Sequence, residues 1–223
     1  MIRIVRTEDG SDSLYNDDLK ESYHSLHGAV RESRHVFVSH GLDYYRLTNK
    51  NAKEVKIFEV GFGTGLNALL TYEYAVINDL KTAYHTIESN PLDSEVYSRL
   101  NYIESIENGD LVFGSIHDAP WNESSFLHPK FQIKKIHDKL ESFDAEESEY
   151  HIIYFDAFAP SKQPEMWEIG ILEKVVGLLK PKGILVTYCA KGQLKRDLRD
   201  LNCDVETLDG PPGKKEMVRA TKI

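Results

Sequence analysis

A glycine-rich hinge between two apolar runs constrains this chain more than any other feature. Val55-Lys56-Ile57-Phe58-Glu59-Val60 is short and rich in β-branched and aromatic residues, and it runs directly into Gly61-Phe62-Gly63-Thr64-Gly65. A helix-like apolar stretch follows over residues 66–77, then a strand-like run over 83–87 that stops at Glu88. Parallel strands need a crossover, and a helix is the usual one. Strand, glycine loop, helix and strand therefore open a doubly wound α/β sheet.

The remaining chain keeps that alternation. Residues 131–136 read as a strand, and residues 151–155 as a buried one that stops at Asp156. Residues 167–179 read as an amphipathic helix, ended by Lys180-Pro181-Lys182-Gly183. A strand over 184–188 and a basic helix over 193–201 come next. Residues 205–208 and 217–221 flank Gly210-Pro211-Pro212-Gly213 and read as a terminal antiparallel hairpin. Residues 1–50 are polar, aromatic-rich and irregular, and are expected to form an extension over the site. Residues 101–130, with Ala119-Pro120-Trp121-Asn122-Glu123, break the alternation as an insertion. No repeat or linker divides the chain, so one domain over 1–223 is expected, and 223 residues suit a single full core.

Composition narrows the functional class. No run of about 18 apolar residues is present, so no membrane partner is expected. The start Met1-Ile2-Arg3-Ile4-Val5-Arg6 has no long apolar stretch of the secretory kind. The only cysteines, Cys189 and Cys203, fall in or near core strands, which fits a reducing cytoplasm. A net charge of −9 argues against a chain that grips nucleic acid over its whole surface. Basic residues do gather in the last third, including Lys191, Lys195, Arg196, Lys214 and Lys215. Charge alone leaves two readings of them, a local phosphate patch or solvated faces.

Four positions carry chemistry. Gly61, Gly63 and Gly65, with Phe62 and Thr64, sit where a strand hands over to a helix. Backbone there can approach a ligand closely and offer unpaired N–H groups. Leu66 stands where a dinucleotide fingerprint has its third glycine, and the acidic Glu59 before the loop suits an ammonium better than a pyrophosphate. S-adenosylmethionine carries such an ammonium. Glu88, 29 residues after Glu59, can accept both hydroxyls of an unphosphorylated ribose. Asp138 can accept from an adenine amino group or cap a helix. Asp156 is delivered to the carboxyl edge of the sheet, followed by Phe158, which can stack on a planar substrate, and Pro160, which bounds the turn. A carboxylate there can orient an amine and accept its proton. Because an aspartate is a weak base, orientation is expected to be its larger role. An NAD-dependent oxidoreductase is the rival enzyme reading, and an RNA-binding module the non-enzymatic one.

Taken together, these motifs resemble the methyltransferase domain of the bifunctional tRNA 5-methylaminomethyl-2-thiouridine biosynthesis proteins, MnmC, and its stand-alone relatives. The resemblance rests on Glu32-Ser33-Arg34-His35-Val36-Phe37, Glu59 through Asn67, Asp156-Ala157-Phe158-Ala159-Pro160, Pro164-Glu165-Met166-Trp167 and Gly213-Lys214-Lys215-Glu216-Met217. It implies a Rossmann-like class I methyltransferase fold. It also implies methyl transfer from S-adenosylmethionine to the 5-aminomethyl group of a wobble uridine in tRNA, with another small-molecule or RNA amine as the alternative. By position, Glu59, Gly61, Gly63, Asn67, Glu88 and Asp138 would hold the cofactor, and Asp156 would serve the amine. Lys191, Lys214 and Lys215 are expected on the substrate side. No FAD and no metal are expected, since the oxidase half has no counterpart before Ile223. A separate enzyme would then supply the aminomethyl precursor.

Overall fold

The computed structural model describes residues 1–106, 109–144 and 147–223. Three short antiparallel strands come first, β1 (Ile2–Arg6), β2 (Asp12–Asn16) and β3 (Glu21–Ser22). A helical run follows: α1 (Ala29–Ser33), a π-helical stretch (Arg34–Asp43) and α2 (Tyr44–Thr48). Val36, Phe37 and Leu42 from this run are buried, and the Phe37 ring packs 5.1 Å from that of Tyr154. The segment is therefore ordered where an irregular one was expected. A π-helix shifts the apolar positions off the 3.6-residue period, so the pattern does not read as a helix.

The large sheet has eight strands in the order β10-β11-β9-β8-β4-β5-β7-β6. Its parallel centre comprises β4 (Glu54–Val60), β5 (Lys81–Glu88), β7 (Phe131–His137), β8 (Tyr150–Phe155) and β9 (Leu179–Thr187). At one edge β6 (Ser124–His128) runs antiparallel to β7. At the other, β10 (Cys203–Asp209) and β11 (Glu216–Lys222) form an antiparallel hairpin, with β11 against β9. Crossover helices are α3 (Leu66–Ile77), α4 (Ser94–Tyr97) and α5 (Gly109–Asp118), then α6 (Ile169–Leu178) and α7 (Gly192–Asp200). This is the class I methyltransferase arrangement, a mostly parallel sheet closed by an antiparallel hairpin.

Both faces of the sheet are covered, which is why β8 and the latter half of β4, Glu59 apart, carry apolar residues on both faces. On β4, Val55 and Ile57 join the cluster that includes Leu69 and Leu70 of α3, while Phe58 and Val60 join Leu172 and Val175 of α6. The Pro/Gly stop after α6 behaves differently from expectation. Leu179 already belongs to β9, Lys182 has φ 66°, and the β8–β9 register shifts there. A local bulge absorbs the turn without ending the strand. The expected insertion supplies α5 and the edge strand β6.

Strand order places the site. From β4 the chain builds outward through β5 to β7, then returns across β4 to build β8 and β9 on the other side. Connections leaving β4 and β8 therefore diverge, and a crevice opens beyond their carboxyl ends.

Candidate active site

Backbone bonds lock the strand ends that floor this crevice. Gly61 N–H donates to the Ile87 carbonyl at 3.0 Å, and Asp156 N–H donates to the Val60 carbonyl at 3.0 Å. Gly61 has φ 89°, and a Cβ there would stand 2.9 Å from the Asp156 carbonyl oxygen. Only glycine lets β4 and β8 leave the sheet so close together. Above them lies a cavity of about 1040 Å³.

One end of the cavity is framed by the loop Gly61, Phe62, Gly63 and Thr64, with Glu88 and Asp138 beyond it. Glu88 accepts from Gly63 N–H at 3.1 Å and from Asn90 N–H at 2.8 Å, which fixes its carboxylate at the end of β5. Asp138 is exposed and closes a turn, accepting through one oxygen from Lys139 N–H at 2.7 Å and the Ser142 hydroxyl at 2.9 Å. Those bonds, Ser142 first, hold its carboxyl below the usual range. Thr64 is gripped twice. Its hydroxyl pairs with His24 Nε2 at 2.7 Å, and its carbonyl accepts from His117 Nε2 at 3.1 Å.

Glu59, Gly65 and Asn67 do not line the cavity. Glu59 is fully buried beneath the loop, and neither carboxyl oxygen completes a hydrogen bond. Burial pushes its carboxyl up to about 8; the nearby Thr86 hydroxyl pulls it down and the Asp156 charge pushes it up. An unsatisfied acid under a glycine loop fits a ligand that brings positive charge. Glu88 likewise fits one that brings vicinal hydroxyls. S-adenosylmethionine has both.

At the other end, Asp156 meets an aromatic wall. Asn67 Nδ2 donates to Asp156 Oδ2 at 2.8 Å. Burial, then the Glu32 charge, push the Asp156 carboxyl up to about 7, against Asn67 and Lys214. That moves it from a weak base to one matched to neutral pH, so proton transfer joins orientation as a feasible role. Phe158 packs edge-on to Tyr23 at 5.0 Å, and its carbonyl accepts from Trp167 Nε1 at 2.8 Å. Tyr23 also lies near Glu88; burial and that charge push its phenol up to about 12.

A family described as S-adenosyl-L-methionine-dependent methyltransferase matches residues 123–223. The chain is 30% identical over 211 residues to the tRNA 5-methylaminomethyl-2-thiouridine biosynthesis bifunctional protein MnmC of Leptospira interrogans, covering 91% of this chain and 33% of that protein. It is 29% identical over 213 residues to the MnmC of Campylobacter hominis, covering 93% of this chain and 31% of that protein. Over residues 123–223 the chain is similar to the S-adenosylmethionine-dependent methyltransferases, and over nine-tenths of its length to MnmC proteins. It spans about a third of the length of the curated MnmC relatives it matches. Its fold is that of MnmC2 from Aquifex aeolicus, with a TM-score of 0.79 at 23% identity, over 99% of this chain and 69% of that one.

Of the residues expected on the substrate side, Lys214 and Phe158 line the cavity, whereas Pro160, Lys191 and Lys215 do not. Lining residues with no assigned role in the sequence include Tyr23, His24, Glu32 and Tyr188. Glu32 sits in a segment that carries the family resemblance, and Tyr188 directly follows an apolar strand, so both left faint signals. Tyr23 and His24 follow β3, which no periodicity announced. Among the described residues no helix is long and apolar enough to cross a membrane.

Proposed function

We propose that this methyltransferase N-methylates the primary amine of a 5-aminomethyl uridine at the wobble position of tRNA. The observation that carries the reading is Asp156. It ends β8 inside the cavity, is oriented by Asn67, is raised to about 7, and stands beside the Phe158–Tyr23 wall. An alkylammonium must shed a proton before it can act as a nucleophile. The similarity to MnmC proteins over nine-tenths of the chain supports the choice of substrate.

S-adenosylmethionine, when bound, supplies a methyl group already activated on a sulfonium. Glu88 would accept ribose hydroxyls, and Asp138 would face the adenine end through the oxygen not held by its turn. Gly61, Phe62, Gly63, Thr64 and Gly65 would form the backbone cradle. Glu59 would act from beneath, where a bound ammonium favours the ionised form of its raised carboxyl, and Asn67 would link it to Asp156. Asp156 accepts a proton from the substrate ammonium and leaves a free amine aligned for displacement, where alignment is most of the catalysis. Phe158 and Tyr23 would form one wall against the base and exclude water, with the turn at Pro160 holding them. The reading calls for neither FAD nor a metal in this chain's own step, and places the enzyme in the cytoplasm with its tRNA. A separate enzyme would supply the aminomethyl group.

The exposed Lys191, Arg196 and Lys215 flank this end and would meet phosphate, although Lys195 is paired with Glu216 at 2.7 Å. Each lost phosphate contact would lower the salt slope of tRNA binding by about one unit. The test is transfer to tRNA from cells that accumulate aminomethyl uridine, followed by nucleoside mass spectrometry. One added methyl on that nucleoside is expected. Absence of transfer, with S-adenosylhomocysteine still bound, would reject the substrate.

A further inference from the structure

Lys214 is the one substrate-side lysine that turns inward. Its ammonium is ion-paired with Glu32, whose side chain is 7% exposed, and lies 4.1 Å from the centre of the Tyr188 ring. The second Glu32 oxygen accepts from Ser25 N–H at 2.7 Å. Tyr188 is held face-on by its hydroxyl, which donates to the Ala157 carbonyl at 2.8 Å. Asp156 is close enough for both Glu32 and Lys214 to act on its charge. All four side chains line the one cavity.

A buried carboxylate, a second carboxylate and an aromatic face form an ammonium cage. We propose that Glu32, Asp156 and the Tyr188 ring form the subsite for the substrate's primary alkylammonium, and that the Lys214 ammonium occupies it until the substrate displaces it. This deepens the function proposed above and rests on it for the identity of the amine.

Exchange is physically cheap. Glu32 cannot be left buried and unpaired without a large desolvation cost. An arriving ammonium replaces the departing one, so the carboxylate stays paired throughout. Lys214 can leave because its side chain is 32% exposed and sits on a long flexible stem. The loop that carries it is anchored independently. Gly210 N–H donates to the Lys215 carbonyl at 3.1 Å, Lys214 N–H donates to the Pro211 carbonyl at 2.9 Å, and His35 Nε2 bonds the Asp209 carbonyl at 2.8 Å. Gly213 has φ 86°, and a Cβ there would collide with the His27 ring, so the loop lies directly against the N-terminal segment that brings Glu32. A displaced Lys214 would emerge at the cavity rim, where a substrate's phosphate can receive it.

Trace acetylation of the intact protein, read by mass spectrometry, tests the exchange without needing turnover. Lys50 is exposed and serves as the internal reference. In wild type, Lys214 should label at least about tenfold more slowly than Lys50, the protection expected of a charge-assisted buried pair. Methylammonium chloride, and 5-aminomethyluridine with S-adenosylhomocysteine present, should raise Lys214 labelling towards that of Lys50. Sodium chloride at equal ionic strength should not. Glu32→Gln keeps an acceptor for Ser25 and should unmask Lys214 with no amine added, while binding S-adenosylhomocysteine within about twofold of wild type. In Lys214→Gln, 5-aminomethyluridine should bind several-fold more tightly. If Lys214 labels as fast as Lys50 in wild type, or if its labelling ignores both amines, the proposal is overturned. The wild-type arm decides this even if Glu32→Gln fails to fold. Unmasking by methylammonium together with no methylation of tRNA would instead keep the subsite and reject the tRNA substrate.

Discussion

The loop end of the cavity comes mainly from residues 60–64 and 88, within one strand–helix–strand unit, whereas the Asp156 end gathers residues 23, 32, 156, 188 and 214. The first end is a property of one local unit. Its glycines, acid and helix start are adjacent in sequence because one crossover makes them adjacent in space. The second end needs the N-terminal segment, two strand ends and the hairpin loop to arrive together. It follows that the two ends should fail separately. Damage at the loop end should appear in cofactor affinity, and damage at the Asp156 end in amine chemistry.

Asp156→Asn separates the ends most sharply. Methyl transfer in single turnover should fall by about 10²–10⁴-fold, the usual cost of a lost acid or base, with S-adenosylhomocysteine affinity nearly unchanged. With Asp156 raised to about 7, the wild-type rate should climb as pH rises through 7, because the carboxylate form is the acceptor. The Asn variant should lack that limb and recover partly at high pH, where free amine is supplied by solvent. A near-normal Asn rate at pH 7 would remove Asp156 from the mechanism.

Glu88→Ala should do the reverse. Cofactor binding should weaken by roughly 2–3 kcal/mol, from loss of charge-assisted bonds to the ribose and of the anchor that holds Gly63. The amine KM should move little. Calorimetry that returns an unchanged dissociation constant would dissolve the division between the two ends.

Glu59→Gln probes the floor that the ends share. The folded carboxyl is raised to about 8 from an ordinary 4.5, so between those values the folded state holds a proton that the unfolded state has released. The stability this contributes is fully present below about 4.5 and is lost as pH rises through 8. The slope is up to about 1.4 kcal/mol per pH unit. Urea unfolding over a pH series should show wild type declining relative to Glu59→Gln. Parallel curves would mean that Glu59 is ionised in place.

Trp167→Phe should give the smallest effect. It keeps most of the ring packing against Phe155 at 4.9 Å but loses the bond to the Phe158 carbonyl, worth about 1 kcal/mol. The amine KM should rise a few-fold through a looser Phe158, with cofactor affinity intact. A matching loss of cofactor affinity would show that the ends are mechanically coupled.

Much of this was legible beforehand, and the exceptions share a cause. The run from Glu59 to Asn67, the strand-ending Glu88 and the strand-ending Asp156 are marked by abrupt changes from apolar run to loop, and the parallel fold puts such changes at one edge. Asp138 left two roles open, and the structure shows a turn closed by its carboxylate where a helix cap was the alternative. The π-helical stretch hid its apolar face by departing from the 3.6-residue period. The basic residues could be counted but not aimed: Lys214 turns inward to Glu32, 182 positions away, while Lys191 and Lys215 stay outside the cavity.

The sequence by itself determined the α/β class, the glycine crossover and which carboxylates end the strands, because strand and helix periods and glycine dihedrals are local properties of the chain. The tertiary structure alone decided that Glu32, Tyr188 and Lys214 meet Asp156, and that Asp156 and Glu59 are basic enough to hold a proton near neutrality. Both depend on burial and on charges brought together from distant parts of the chain, and neither quantity exists until the sheet, the N-terminal segment and the hairpin close around one cavity.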